Sequence, residues 1–366
     1  MKELIHANPD LLITVVGIGG CGCNTVNMLY ENSLSNSVNL IAINTDLAAL
    51  NSLQVENKIL IGENLTQGYG AGSNPEVGLK AAQESEELLI NAIRGSDIVI
   101  ITAGFGGGTG TGAAAIIAKA AKEIGALTVA VVTKPFKWEG KKRTGLANLG
   151  LEEIKKVTDS IIIIPNDRLR HIVEESIGMK DAFKVVDDVL YQAVNGMSEV
   201  ILKPGSDDIN VDFADVKTIM QHKGIALMGI GKAKGDDAAN RALELAIKSP
   251  LLDEISLSNA KGIMIHWTVN PDVSMFAIGD VMENIHDTLI GNPEIIFGTT
   301  TDENLAIDEI KITIVATGFD TPEEEIDENA FKNTKSANHL NMRANENDDH
   351  YDTPPLMRGY SIKFSF

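Results

Sequence analysis

The segment Gly106-Gly107-Gly108-Thr109-Gly110-Thr111-Gly112 carries residue types and spacing suited to holding an anion. It follows an apolar run, Asp97–Thr102, and opens a helical stretch, Ala113–Ala120. Glycines let several backbone N–H groups converge on one concavity with no Cβ in the way. The helix start adds N–H donors and the positive end of its dipole. The two threonine hydroxyls are read as further donors. The chemistry this predicts is the cradling of a polyphosphate.

A second glycine loop lies earlier. Leu11–Val16 reads as a strand, Gly17-Ile18-Gly19-Gly20-Cys21-Gly22 fits G-x-G-x-x-G, and Val38–Ile43 reads as a second strand leading to Asn44-Thr45-Asp46. Strand, glycines, helix, strand and acid together match a dinucleotide fingerprint. An NAD-dependent oxidoreductase is therefore one reading. A dinucleotide enzyme has no need of the second loop, and two glycine loops at the C-terminal ends of strands suit a nucleotide polyphosphate better. Cys21 and Cys23 are the only cysteines. Their spacing completes no metal or redox set, so they read as small residues lining a tight loop. Asn210, Asp212 and Asp215 form N-x-D-x-x-D far from both loops. Two carboxylates there could polarise an attacking water and help hold a cation. The same residues could instead cap a helix starting near Asp212.

The elements that would position these residues alternate. Short Val/Ile-rich strands at 11–16, 38–43, 97–102, 127–133 and 161–164 are separated by helical stretches, the pattern of a doubly wound, mostly parallel α/β sheet. Residues 181–203 read as one long helix with apolar positions at helical spacing, stopped by Pro204-Gly205. A second, smaller α/β unit follows, with strands near 224–231, 261–268, 295–298 and 311–317 and helices near 236–248 and 272–287. The organisation expected is an N-terminal extension (1–10), a nucleotide-binding domain (11–178), a central helix (179–203), a C-terminal domain opening on the acid loop (204–318), a disordered linker (319–350) and a tail (351–366). The linker reading rests on Glu, Asp, Asn and Lys crowding 321–350 with few aliphatics.

The net charge of −20 argues against nucleic-acid binding, which needs clustered Lys and Arg, and against adhesion to anionic lipid. No apolar run reaches the length of a membrane span, and the N-terminus lacks a secretory pattern. A cytoplasmic protein with no direct membrane insertion is expected.

The two loops together resemble the tubulin/FtsZ superfamily, whose signature is GGGTGTG, and within it the bacterial FtsZ cell-division GTPases. Gly68–Gly78, Thr133-Lys134-Pro135-Phe136, Ile164-Pro165-Asn166-Asp167 and Asn210–Asp215 are similar to further family motifs and occur in the family's order. The resemblance runs from about Leu11 to Gly318. It implies a GTPase that polymerises head to tail into filaments of the cytokinetic ring at mid-cell. It implies GTP or GDP as ligand, held by Gly20, Cys21, Gly22, Cys23 and Asn24 of the first loop and by Gly106, Gly107, Gly108, Thr109, Gly110, Thr111 and Gly112 of the second. Ala71 and Gly72 would lie near the γ-phosphate and Asn44 near the metal and water. Mg2+ is expected through the nucleotide, without dedicated protein ligands.

Glu139 and Arg143 would meet sugar and phosphates, while Asn166, Phe183 and Asp187 would meet guanine. A carboxylate can accept from the guanine N1–H and 2-amino group, and Phe183 and Asp187, four apart, share a helix face. By the same resemblance Asn210, Asp212 and Asp215 are catalytic and complete the site of the neighbouring subunit. Asp352–Arg358 resembles the peptide by which the family docks on membrane adaptors such as FtsA, with Pro354, Leu356 and Met357 as anchors, alongside other division proteins. Tyr360–Phe366 departs from that pattern and alternates with period two, so it reads as a strand that could add to a partner's sheet edge. A non-hydrolysing scaffold of the same superfamily is the remaining reading, against which the intact acid triplet weighs.

Overall fold

A computed structural model describes residues 11–32, 38–169, 178–202, 209, 211–222, 224–249, 252, 259–289, 293–303 and 305–319. The N-terminal extension, Asn210, the expected linker beyond residue 319 and the tail anchors Pro354, Leu356 and Met357 lie outside the described residues.

Ten strands form one sheet. They are β1 (Ile13–Ile18), β2 (Asn39–Asn44), β3 (Asn57–Leu60), β4 (Ile98–Gly104), β5 (Leu127–Lys134), β6 (Ser160–Pro165), β7 (Ile225–Lys234), β8 (Gly262–Val269), β9 (Glu294–Thr301) and β10 (Glu309–Phe319). Their order is β3-β2-β1-β4-β5-β6-β7-β10-β8-β9. Every neighbouring pair is parallel except β10 with β7 and with β8. The helices in the first half are α1 (Gly19–Glu31), α2 (Leu47–Asn51), α3 (Glu63–Thr66), α4 (Pro75–Glu84), α5 (Glu86–Ile93), α6 (Thr109–Glu123), α7 (Lys141–Lys155) and α8 (Asn166–Leu169). Then come the long α9 (Met179–Leu202), α10 (Phe213–Met220), α11 (Ala238–Ile247) and α12 (Met275–Thr288). The described residues belong to one compact unit.

Strands β1, β4 and β5 are mostly apolar and buried along nearly their whole length because parallel strands are covered on both faces. Alternation then sorts their side chains. Ile13, Val15, Ile98, Ile100, Val129 and Val131 face α1 and α9, while Val16, Ile18, Val99, Ile101, Ala130 and Val132 face α4, α5 and α6. The first of these cores runs on through Val186, Leu190, Val194 and Met197 of α9 into Met228 of β7, Met264 of β8 and Val315 of β10. A third core lies between the far strands and α11 and α12, with Trp267 fully buried.

The sheet departs from the sequence reading at β3. Its four residues, Asn57-Lys58-Ile59-Leu60, lie at the sheet edge with the first two exposed. A half-polar edge strand of that length gives no periodic signal. Strand β6 joins β7 through only two register pairs, Ile161 with Ile225 and Ile162 with Ala226. Among the described residues no helix is long and apolar enough to cross a membrane.

Candidate nucleotide-binding site

Strands β1 and β4 are neighbours, so the glycine loops at their C-terminal ends lie side by side. That is where open α/β sheets bind ligands. A Cβ placed on Gly19 would stand 3.0 Å from the Gly110 nitrogen. The glycines divide into two kinds. Gly22 packs α1 onto β4, its missing Cβ position being 2.2 Å from the Thr102 carbonyl oxygen. Gly112 packs α6 onto α4, 2.0 Å from the Pro75 carbonyl oxygen. Gly20 and Gly107 instead have no heavy atom within 4 Å of a Cβ, so the space above them is open.

Helices α1 and α6 begin in these loops without a capping side chain and without an acidic residue in the first turn. Ser, Thr, Asp or Asn often satisfies the first N–H groups of a helix, as Asp46 and Asn74 do for α2 and α4. Here two adjacent positive helix ends are left unclaimed by the protein, an arrangement that fits several phosphate charges.

The threonine hydroxyls serve the loop rather than standing free. Thr109 Oγ1 pairs with Thr45 Oγ1 at 2.7 Å, and Thr111 Oγ1 accepts from the Gly106 N–H at 2.9 Å. Both hydroxyls thus brace the loop while keeping donor capacity, since Thr111 Oγ1 is the acceptor in its bond and either oxygen can donate in the Thr45–Thr109 pair. Ala71 and Gly72 abut the second loop, since a Cβ on Gly108 would meet Ala71 Cβ at 2.8 Å. Gly72 has φ of 58° and open space around it. Asn44 is buried and accepts from the Thr45 N–H at 2.9 Å, forming the turn at the end of β2. Asp46 caps α2, accepting from the Ala49 N–H at 3.0 Å. The acid that a dinucleotide site would turn toward a ribose is therefore committed elsewhere.

Glu139 fastens the next turn. One oxygen accepts from the Phe136 N–H at 2.8 Å and the other pairs with Arg143 at 2.6 Å. Above it, Phe136 and Trp138 stack with centroids 5.2 Å apart, and Phe183 from α9 meets both edge-on. Asn166 is buried, and its Oδ1 has no hydrogen-bond partner among the described residues. An orphaned buried acceptor is costly, so a donor from a base fits there.

Asp187 stands against the first loop. Asn24 Nδ2 donates to one of its oxygens at 3.0 Å and the Cys21 thiol to the other at 3.5 Å. Burial holds the Asp187 carboxyl above the ordinary aspartate range, with those two donors opposing the shift. Cys21 is thus more than a small filler. Cys23 is buried, its thiol directed at the carbonyls of Gly17 and Ile43, and burial pushes it up to about 12.

The acids 212 and 215 lie elsewhere. Asp212 occupies the N-cap position of α10, yet its side chain makes no capping bond, and both carboxylates are exposed. The segment leading to them is fixed to β9, where Ile209 O accepts from the Thr299 N–H and Ile209 N–H donates to Thr299 Oγ1, both at 2.9 Å. From β4 to β9 is six strand steps, about 25–30 Å at the usual strand spacing. Beyond Asp187, α9 runs on to Leu202 and carries the chain about 23 Å toward the acid loop. The structure brings the two loops, Ala71, Gly72, Asn24, Cys21 and Asp187 together. It does not bring Asp212 or Asp215 to them within one chain.

Comparison with known proteins agrees with this architecture. Residues 12–174 match the Tubulin/FtsZ family GTPase domain and residues 224–320 the FtsZ family C-terminal domain. An FtsZ dimer from M. jannaschii is 45% identical, with TM-score 0.78 over 84% of this chain and 88% of that one. A point mutant of the M. jannaschii protein matches at the same identity and score over 84% and 91%. CetZ2 from Haloferax volcanii, in a GTPγS-bound protofilament, shares the fold at 20% identity and TM-score 0.74 over 90% of this chain and all of that one. With both family domains in tandem and that identity over most of its length, the chain belongs to the FtsZ family of tubulin-like GTPases.

Proposed function

We propose that this chain binds GTP across its two glycine loops, polymerises head to tail, and hydrolyses GTP only where the Asn210/Asp212/Asp215 loop of one subunit meets the nucleotide of the next. The observation that carries the reading is the pair of uncapped helix N-termini, α1 and α6, side by side at the ends of β1 and β4. Backbone N–H groups from Gly20–Asn24 and from Gly107–Thr111 would hold the phosphates, with Gly106 and Gly112 shaping the ends of the second loop. Asn166, Phe183 and Asp187 would select guanine, and Glu139 with Arg143 would border the sugar. Mg2+ bound through the phosphates beside Asn44 would supply charge neutralisation at the γ-phosphoryl group.

Asp212 and Asp215 are free of capping duty and lie far from the loops of their own chain. This supports hydrolysis at a junction between copies, where their carboxylates would orient and polarise the attacking water. The M. jannaschii relative solved as a dimer supports self-association. On this reading GTPase activity per molecule rises from near zero above a threshold protein concentration. Steady-state phosphate release across a dilution series tests it, and a rate per molecule that stays constant to high dilution would overturn the shared site.

The cellular role proposed is a filament of the division ring, built on the cytoplasmic side at mid-cell. The organisation proposed is a GTP-binding domain (11–178), central helix (179–203), C-terminal domain (204–318), linker (319–350) and adaptor-binding tail (351–366). Pro354, Leu356 and Met357 would dock a membrane adaptor of the FtsA kind, supported by the Asp352–Arg358 sequence alone. Truncation after Phe319, the last residue of β10, is then expected to leave GTPase activity and assembly intact while abolishing recruitment to the division site. A fluorescent fusion that still localises normally after truncation would refute the docking role.

A further inference from the structure

We propose that Cys21 is a positioning residue for base selection: its thiol, steadied by Thr133, pins one oxygen of Asp187 so that the carboxylate presents a fixed edge to guanine. The inference rests on the reading of Asp187 as the guanine-recognising group.

Three contacts build the arrangement. Cys21 Sγ lies 3.5 Å from Asp187 Oδ1, within reach of a sulfur hydrogen bond. The Thr133 hydroxyl, buried at the end of β5, lies beside the same sulfur, its oxygen 3.5 Å from the point a Cβ on Gly104 would occupy. Gly104, at the end of β4, provides the room, since a Cβ there would stand 2.9 Å from Cys21 Cβ and 3.3 Å from its Sγ. A side chain at position 104 would expel the thiol from this place. The thiol is therefore seated between β4, β5 and α9.

Its protonation suits the role. Burial, and then the neighbouring Asp187 carboxylate, push the Cys21 thiol well above its ordinary range. It stays S–H at neutral pH and donates, where a thiolate would repel Asp187. Asn24 donates to the second oxygen at 3.0 Å. With both oxygens held from α1, the carboxylate cannot swing, and its remaining lone pairs stay available to the N1–H and 2-amino donors of guanine. Asp188, the adjacent acid on α9, also bears on Asp187 and raises its carboxyl further, so the two donors matter more. A rigid two-acceptor edge discriminates against a base lacking one donor more sharply than a mobile one does, because the unmatched acceptor cannot turn away.

The test uses the full chain and two nucleotides, GTP and ITP, which differ only in the 2-amino group. Binding constants are measured by competition against a fluorescent guanine nucleotide. Cys21→Ala is expected to lower the GTP-over-ITP preference about three- to tenfold, the scale of one modest hydrogen bond. Cys21→Ser, which keeps a donor, should restore most of that preference. Thr133→Val should lower it in the same direction by a smaller factor, and it serves as a second variant should Cys21→Ala fold poorly. In an Asp187→Ala background, Cys21→Ala should change the preference no further. Equal loss of GTP and ITP affinity in Cys21→Ala would make the cysteine a merely structural residue and overturn the proposal. If Asp187→Ala itself leaves the preference intact, the failure lies in the underlying assignment of Asp187.

Discussion

The two halves of the sheet use the same residue for opposite ends. In the parallel half, Gly20 and Gly107 leave space that no protein atom fills. In the far half, Gly229 and Gly231 of β7 are jammed against α11, where a Cβ on Gly231 would lie 1.8 Å from the Ala242 carbonyl oxygen. The first pair keeps room for something outside the chain, and the second removes room inside it. The acids divide in the same way. Asp187 and Asp46 are bonded into the parallel half, whereas Asp212 and Asp215 stand exposed at the far half, committed to no cap. On the proposed reading, one half receives the nucleotide and the other delivers the acids.

Asp212→Ala and Asp215→Ala should break that contrast most severely. Each is expected to reduce turnover about 10²–10⁴-fold, the usual worth of a positioned acid or base group, with GTP affinity unchanged. Loss of GTP binding with normal turnover per bound nucleotide would place these acids in the receiving half instead. Gly231→Ala against Gly107→Ala comes next. The first should cost about 3 kcal/mol through overpacking, seen as a lowered thermal midpoint. The second should leave the midpoint in place while weakening GTP binding, and an equal stability loss in both would erase the distinction between the glycines.

The smallest effect sharpens the role of Asp187. Its folded carboxyl is raised by burial, so the folded state holds a proton that the unfolded state has already released. Across the window between the ordinary and the raised value, stability falls as pH rises. On the proposed guanine contact, GTP binding needs the ionised form and is expected to move the other way, weakening as pH falls through the raised value. Asp187→Asn should abolish both trends, and titrations of affinity and of unfolding free energy against pH read them separately. A wild-type GTP affinity that stays flat through that window would remove Asp187 from base recognition.

Much of this was legible from residue order. The short Val/Ile-rich runs of β1, β4 and β5 announce strands covered on both faces, and the glycine loops announce their ligand class. What sequence left hidden depends on elements meeting across long separations. Cys21 gains its meaning only because α9 returns a carboxylate from 166 positions away. Asp46 matched a ribose-binding acid by position, yet its side chain satisfies a local helix end. The hydroxyl pair Thr45–Thr109 likewise joins residues 64 apart, and no local pattern marks such a pair.

The junction of β6 with β7 carries a mechanical consequence. Two register pairs join these strands, while β4 and β5 share seven. Backbone ladders resist shear as a set, so the β6–β7 ladder is the sheet's tear line. Along it the two halves are welded chiefly by oily side chains of α9, Val186, Leu190, Val194 and Met197, pressed on both sides, with the Glu199–Lys311 ion pair at 2.5 Å as a rivet to β10. Apolar contacts are non-directional and yield by sliding, whereas a hydrogen-bonded ladder parts by snapping. A pull across the molecule would therefore be absorbed first at α9, the element that links the two halves of the sheet.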